Sequence, residues 1–292
     1  GGQVFVCRGE GRAGGLAVKA IDVRRLKLSP NAEREEKKLR REVEILKDLP
    51  PHPNIVQLVD ARQEGDWLLL VLEMVGGGDL LTALTGRLNP RFSETEAAFV
   101  LRQLASGLSF LHSRGVIHRD LKLENVLVAS SARQHANTLY SVKITDFGLS
   151  KAVGAGRSEA RSMVGTHPYI APEVLQKAPH DFSADLWGLG VLLFVLLAGH
   201  FPFGQVASSQ QELDDIVAGV DLSEDARAVL SGLLQLEPGG RSGLELVQGH
   251  RWLQPRADGP QAPATSPAGG DAAPRGDASD VRGQPPKRQR TS

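Results

Sequence analysis

Cysteine, long hydrophobic runs and net charge are all scarce in this chain, and each scarcity removes a class of function. Cys7 is the single cysteine among 292 residues, which excludes an intrachain disulfide framework and fits a reducing compartment such as cytosol or nucleus. Its place in the apolar run Val4-Phe5-Val6-Cys7 predicts burial. The longest apolar stretch, Leu186 to Phe201, falls short of the roughly 20 residues that cross a bilayer. Asp185 leads it, so it reads as a buried core helix. Lys plus Arg and Asp plus Glu each number 34, giving a formal charge of zero. No global field therefore recruits nucleic acid or an anionic membrane. There is no leader-like segment, and the chain opens on Gly1-Gly2-Gln3-Val4 without methionine, from which a fragment lacking its upstream part is expected.

What is present reads as a globular unit. Apolar residues make up 41%, and the length suits one two-lobed unit or two small domains. Residues 2–8 and 13–22 read as strands with glycine-rich turn chemistry between them. Ser29-Pro30 offers a helix start, and Glu33 to Lys47 is helix-forming with an apolar stripe at Leu39, Val43 and Leu46, ending at Pro50-Pro51. A strand pair follows, Val56 to Asp60 and Trp67 to Glu73, and then the connector Met74-Val75-Gly76-Gly77-Gly78-Asp79. Beyond it the pattern turns helical. Ser93 with Glu96 forms a capping box for a helix to about His112, with Gly115 as its stop. Short strands Val126 to Val128 and Val142 to Thr145 flank a segment expected to be a polar loop, Ala129 to Ser141. Past Pro255 the Pro, Gly, Ala and Asp content predicts a disordered tail, because little apolar surface offsets ordering entropy. The basic end Lys287 to Arg290 favours nuclear over cytoplasmic location, as an import signal.

The chemistry gathers in two segments. His118-Arg119-Asp120-Leu121-Lys122-Leu123-Glu124-Asn125 resembles the catalytic loop of eukaryotic protein kinases at every defining position. The resemblance implies that Asp120 orients the attacking hydroxyl and takes its proton, Lys122 neutralises the moving phosphoryl, and Asn125 holds magnesium. Asp146-Phe147-Gly148, twenty-one residues beyond Asn125, supplies the family's second magnesium ligand, Asp146. Lys19 in Ala17-Val18-Lys19 stands where the phosphate-positioning lysine stands, and Glu42 where its helix partner stands, with Glu44 as the rival. Gly2-Gln3-Val4 looks like the end of the glycine-rich phosphate loop. By position, Val4, Ala17 and Leu127 would sandwich adenine, Leu72, Glu73 and Met74 would line the back pocket and hinge, and Asp79 would lie near the ribose.

Further matches are Ala171-Pro172-Glu173 with Arg241, a structural pair, and Asp185 as the brace of the catalytic loop. The resemblance implies an α+β bilobal fold over residues 1–254, with a β-rich N-lobe (about 1–74, its first strand truncated), a hinge (about 75–79) and an α-helical C-lobe (about 80–254), then the tail 255–292. It also implies ATP and magnesium as cofactors. Lys122 and Thr166 resemble serine/threonine kinases. His250-Arg251-Trp252 resembles the calcium/calmodulin-dependent group, and the polar insertion before Asp146 resembles checkpoint-type members. Ser162 occupies the usual activation-loop phosphosite, where Arg119 and Lys151 would receive a phosphate placed by an upstream kinase. Acidic Glu124 and Asp79 suggest protein substrates with basic residues upstream of the target hydroxyl. Two departures stand out: His167-Pro168 reverses the usual order after Gly165-Thr166, and Val220 to Ser223 shortens a link between late helices. The alternatives are a pseudokinase scaffold that binds partners without catalysis, and a small-molecule kinase. Retention of Lys19, Asp120 and Asp146 argues against the first, and Ala171-Pro172-Glu173 against the second.

Overall fold

The computed structural model describes residues 3–7, 15–28, 32–147, 151–152, 168–204, 207 and 209–254. Expectations for Gly2, Ser29-Pro30, Gly148, Ser162, Thr166, His167 and the tail 255–292 fall on residues outside these.

Four antiparallel strands begin the fold: β1 (Gln3–Cys7), β2 (Leu16–Asp22), and, after the helices α1 (Val23–Lys27) and α2 (Ala32–Asp48), β3 (Leu58–Glu64) and β4 (Trp67–Glu73). Their order is β1-β2-β4-β3. Register places Val4 opposite Lys19, Lys19 opposite Leu70, and Ala17 opposite Leu72. Alternation along a strand then puts Val4, Ala17, Lys19 and Leu72 on one face. The β3–β4 hairpin turns at Gly65, whose φ of 57° suits glycine. On α2 it is Ile45 and Leu46 that reach the core, shifted from the expected stripe. Cys7 is exposed, against expectation. Its strand lies at the edge of the sheet, where Val4 and Val6 are also exposed, so an apolar run there does not imply burial.

The hinge is held by backbone. Gly77 donates to the Val128 carbonyl (3.0 Å) and Val128 to the Gly78 carbonyl (2.8 Å). A Cβ on Gly77 would lie 2.4 Å from that Val128 oxygen, and Gly78 sits at φ 76°. Only glycine fits both demands. Helix α3 (Leu80–Thr85) starts on Asp79, whose carboxylate caps the Thr82 amide. The predicted capping box is present at the start of α4 (Glu94–Ser113). Burial pushes the Glu96 carboxyl up, but the Arg87 guanidinium and the Thr138 and Ser93 amides outweigh it and hold it below its ordinary value.

After β5 (Val116–Ile117), the expected polar loop is instead a hairpin of β6 (Val126–Gln134) and β7 (Asn137–Ile144). Its polar residues conceal a buried Leu139 and Val142, and backbone pairing continues to Gln134 opposite Asn137. Side chains of α4 and of the α2–β3 connection complete its hydrogen bonds: Thr138 donates to Glu96, Val142 to Gln103, and Asn54 to the Val142 carbonyl. A two-residue β8 (Lys151–Ala152) pairs with β5.

Among the described residues five α-helices follow: α5 (Pro172–Leu175), α6 (Ser183–Ala198), α7 (Gln210–Ala218), α8 (Glu224–Leu233) and α9 (Leu244–Gly249). The apolar stretch predicted as a core helix is α6, with Trp187 fully buried and Gly199 ending it at φ 81°. Among the described residues no helix is long and apolar enough to cross a membrane. The short α7–α8 link is fastened by Arg227, which donates to the carbonyls of Val217, Val220 and Leu222.

Candidate active site

The site forms where the chain leaves β5, turns through a 3-10 segment (Leu123–Asn125) and enters β6. Arg119 takes a left-handed φ of 66° here, a strained state for a branchless but bulky side chain that needs outside support. Support comes from α6. The buried Asp185 carboxylate accepts the amides of His118 (2.9 Å) and Arg119 (2.8 Å), and the His112 Nε2 (2.8 Å). Burial would raise the Asp185 carboxyl, but the His112 bond, the nearby histidines and the Arg119 amide together hold it below its ordinary value.

Asp120 is then presented from a rigid turn. Lys122 Nζ lies 3.0 Å from its Oδ2, and the Asn125 amide donates to its carbonyl (2.8 Å) and its Oδ2 (3.0 Å). The Asp120 amide donates to His118 Nδ1 (3.3 Å), so the His118 proton sits on Nε2, which faces the Thr145 carbonyl at 3.1 Å. The Thr145 amide in turn donates to the Asn125 carbonyl at 2.9 Å. These bonds couple the loop to the end of β7, where Asp146 has a φ of 65°. Phe147 is buried edge-on to His118, at 5.4 Å between ring centres. Asp146 keeps a half-exposed carboxylate 3.6 Å from Lys19 Nζ. A carboxylate beside a lysine cation, joined through the Thr145–Asn125 bond to a second carboxylate–lysine pair, suits transfer of an anionic group to a hydroxyl.

A family model of the protein kinase domain matches residues 1–253. The chain belongs to the protein kinase family. Among curated relatives, a probable myosin light chain kinase of Dictyostelium discoideum is 34% identical over 244 residues, covering 82% of this chain and 73% of the relative. The calcium/calmodulin-dependent protein kinase type 1 of Caenorhabditis elegans is 32% identical over 261 residues, covering 86% and 70%. Human ribosomal protein S6 kinase alpha-2 is 35% identical over 224 residues, covering 73% and 30%. The chain spans between 20% and 73% of the lengths of the relatives it matches. With this membership and these relatives, the kinase is of the serine/threonine type, with the bilobal fold of a small antiparallel sheet and a helical lobe.

In the kinase Asp120, Lys122 and Asn125 form one cluster and Lys19 and Asp146 another, linked through the Thr145 amide to the Asn125 carbonyl. Glu42 lies in α2, but its side chain is outside the described residues, while its rival Glu44 is exposed. Ala17 and Leu72 are cross-strand partners, and Leu127 is bridged to Asp79 by backbone. Two expected nucleotide contacts are engaged elsewhere. Glu73 accepts from Lys143 Nζ (2.8 Å) and the Gln57 amide (2.9 Å), and Asp79 Oδ1 caps Thr82. Any nucleotide contact by Glu73 is thereby left to its backbone, and Asp79 serves first as a helix cap. Met74 is exposed beside the hinge.

Two contributors escaped the sequence reading. One is Arg41 on α2: burial first, then the Arg41 charge, push the Arg119 guanidinium down to about 10, against the pull of Asp185. The other is His112, which the sequence offers only as a helix-end residue. Lys151 pairs with Ile117 in β8, but its side chain is outside the described residues. Asn125 donates through its amide nitrogen, so its Oδ1 is turned to the other side. That oxygen and the half-exposed Asp146 carboxylate are the hard donors magnesium prefers, and the residues present fit that ion.

Proposed function

We propose that the kinase transfers the terminal phosphoryl group of ATP to serine or threonine hydroxyls of protein substrates in a signalling pathway. The observation that carries this reading is the Asp120–Lys122–Asn125 cluster, tied through Thr145 to Asp146 and its partner Lys19. Asn125 and Asp146 would hold magnesium, which would supply positive charge against the nucleotide's phosphates. Asp120 orients the incoming hydroxyl and takes its proton. Lys122, already at hydrogen-bond distance from Asp120, moves positive charge to the transferring group. Lys19 holds the inner phosphates, with Glu42 as its helix partner. Val4, Ala17 and Leu127 enclose the base, with Leu72 guarding the back of the pocket.

Labelled ATP, magnesium and a peptide array test this. Asp120→Asn and Asp146→Asn should each lower transfer by about 10²–10⁴-fold; unchanged transfer in both leaves a scaffold without catalysis as the better reading. Glu124 is exposed in the 3-10 segment after Asp120, and its charge helps burial push the Tyr169 phenol above its ordinary range. We read Glu124 as the group selecting basic residues upstream of the target, which an array showing no preference for Arg or Lys would remove. Arg119 and Arg41 together would receive a phosphate on the activation-loop residue Ser162. An upstream kinase acting on Ser162 and nuclear import through Lys287 to Arg290 complete the proposal.

A further inference from the structure

The catalytic loop hangs from one carboxylate, and that carboxylate has a side-chain donor of its own. Asp185 spends Oδ1 on the Arg119 amide and shares Oδ2 between the His118 amide and His112 Nε2. Asp185 is 1% exposed, so water does not replace a donor that is removed. The His112 ring is fixed against Phe182, with ring centres 4.7 Å apart. His112 sits in the last turn of α4, Asp185 in the first turn of α6 and the two amides in the loop between β5 and β6, so one hydrogen-bonded group joins three elements. We propose that His112 is a positioning residue for phosphoryl transfer, the side-chain donor that keeps Asp185 bound to the two amides that shape the Asp120 turn.

The physical reasoning runs through the protonation of Asp185. An ionised carboxylate only accepts, and it serves both amides. A protonated one carries a hydrogen on one oxygen, and that oxygen then competes poorly for an amide donor. The Arg119 turn, at a φ of 66°, relaxes once an amide is lost, and Asp120 moves with it. The groups facing Asp185 are His112 from α4, and His118 and Arg119 from the loop, with Arg41 of α2 acting on Arg119. Of these, His112 is the largest influence holding the carboxyl low. Both the neutral ring protonated on Nε2 and the imidazolium donate through that atom.

Glutamine and asparagine separate this from a packing role. A Gln amide nitrogen reaches about as far as His Nε2, whereas an Asn amide stops near Nδ1, yet both are polar and smaller than histidine. In the full chain, with a peptide substrate, His112→Asn should lower kcat by about 10–100-fold, the scale of one hydrogen bond to a buried charge. The KM for ATP should stay within about twofold, since the nucleotide contacts are untouched. The acid limb of the kcat profile should move up by about one pH unit or more as Asp185 takes its proton more readily. His112→Gln should return kcat to within about threefold of the parent and restore the acid limb. His112→Phe should behave as His112→Asn, and in an Asp185→Asn background none of these changes should add a further loss.

The inference rests on the reading of Asp120 as the hydroxyl-orienting group. If Asp120→Asn keeps full transfer, that reading and the inference fall together. If Asp120→Asn is inactive while His112→Asn keeps the parent kcat and profile, the inference alone is overturned. Equal pH-independent losses in His112→Asn and His112→Gln, matched by equal losses of Tm, also overturn it in favour of packing.

Discussion

Removing Arg241 should unfold the large lobe long before it touches the chemistry. Arg241 is wholly buried along its side chain and faces Glu173 in a bidentate pair, with both contacts at 2.7 Å. The same guanidinium donates to the carbonyls of Ser183 (2.9 Å), Gln235 (2.9 Å) and Leu236 (3.3 Å), and it lies 5.3 Å from the centre of the Trp187 ring. Arg241→Ala therefore strands a buried carboxylate and three carbonyls. Breaking a buried pair from one side costs about 3–5 kcal/mol. For a domain of this size Tm moves by about 2–4 °C per kcal/mol, so a drop on the order of 10 °C is expected. Arg241→Lys should recover less than half, because an ammonium does not reproduce the fork that meets both Glu173 oxygens. Glu173→Leu with Arg241→Met should be more stable than Arg241→Ala alone, since it removes the stranded charge. Urea unfolding of the four proteins measures this. A loss under about 1 kcal/mol for Arg241→Ala, on the scale of an exposed ion pair, would refute the reasoning.

Glu96→Ala should destabilise more than Ser93→Ala, because Glu96 holds Arg87 and the Thr138 and Ser93 amides whereas Ser93 supplies one cap; thermal scans should show about 3 against about 1 kcal/mol. Gly77→Ala should raise the KM for ATP while leaving Tm of the large lobe nearly unchanged, since its Cβ meets the Val128 carbonyl at 2.4 Å and displaces the hinge; an unchanged KM would show that the hinge can shift freely. Asp185 and Glu96 both have folded-state values below their ordinary 3.8 and 4.5. Their contribution is therefore present above those values and is lost as pH falls below them through the lower folded ones. A stability profile flat from pH 4.5 to 2 would contradict both assignments.

Much of the site was legible because its chemistry depends on residue type in a fixed local order. An Asp, a Lys and an Asn at positions 120, 122 and 125 are close enough in sequence to share one turn, and a strand ending just before Asp146 needs only local pattern to be read. The α6 core helix and the Ser93–Glu96 cap were legible for the same reason. Burial of Cys7 was misread because an apolar strand is covered only if a neighbour covers it, and β1 lies at the sheet edge. The Ala129 to Ser141 segment looked like a loop because its composition is polar. Its pairing is satisfied by Glu96, Gln103 and Asn54, which lie far off in sequence.

Local order thus determined which candidate groups lie together, since short-range geometry decides which side chains share a turn. Tertiary structure alone decided what holds them: His112, Asp185 and the Arg119 turn meet from three elements, and Arg41 approaches Arg119 from a fourth. Glu73 and Asp79 were likewise claimed by Lys143 and Thr82 only once the chain had folded. Hydrogen bonds and buried charges act over a few ångströms of space. Sequence distance says nothing of which groups folding brings that close.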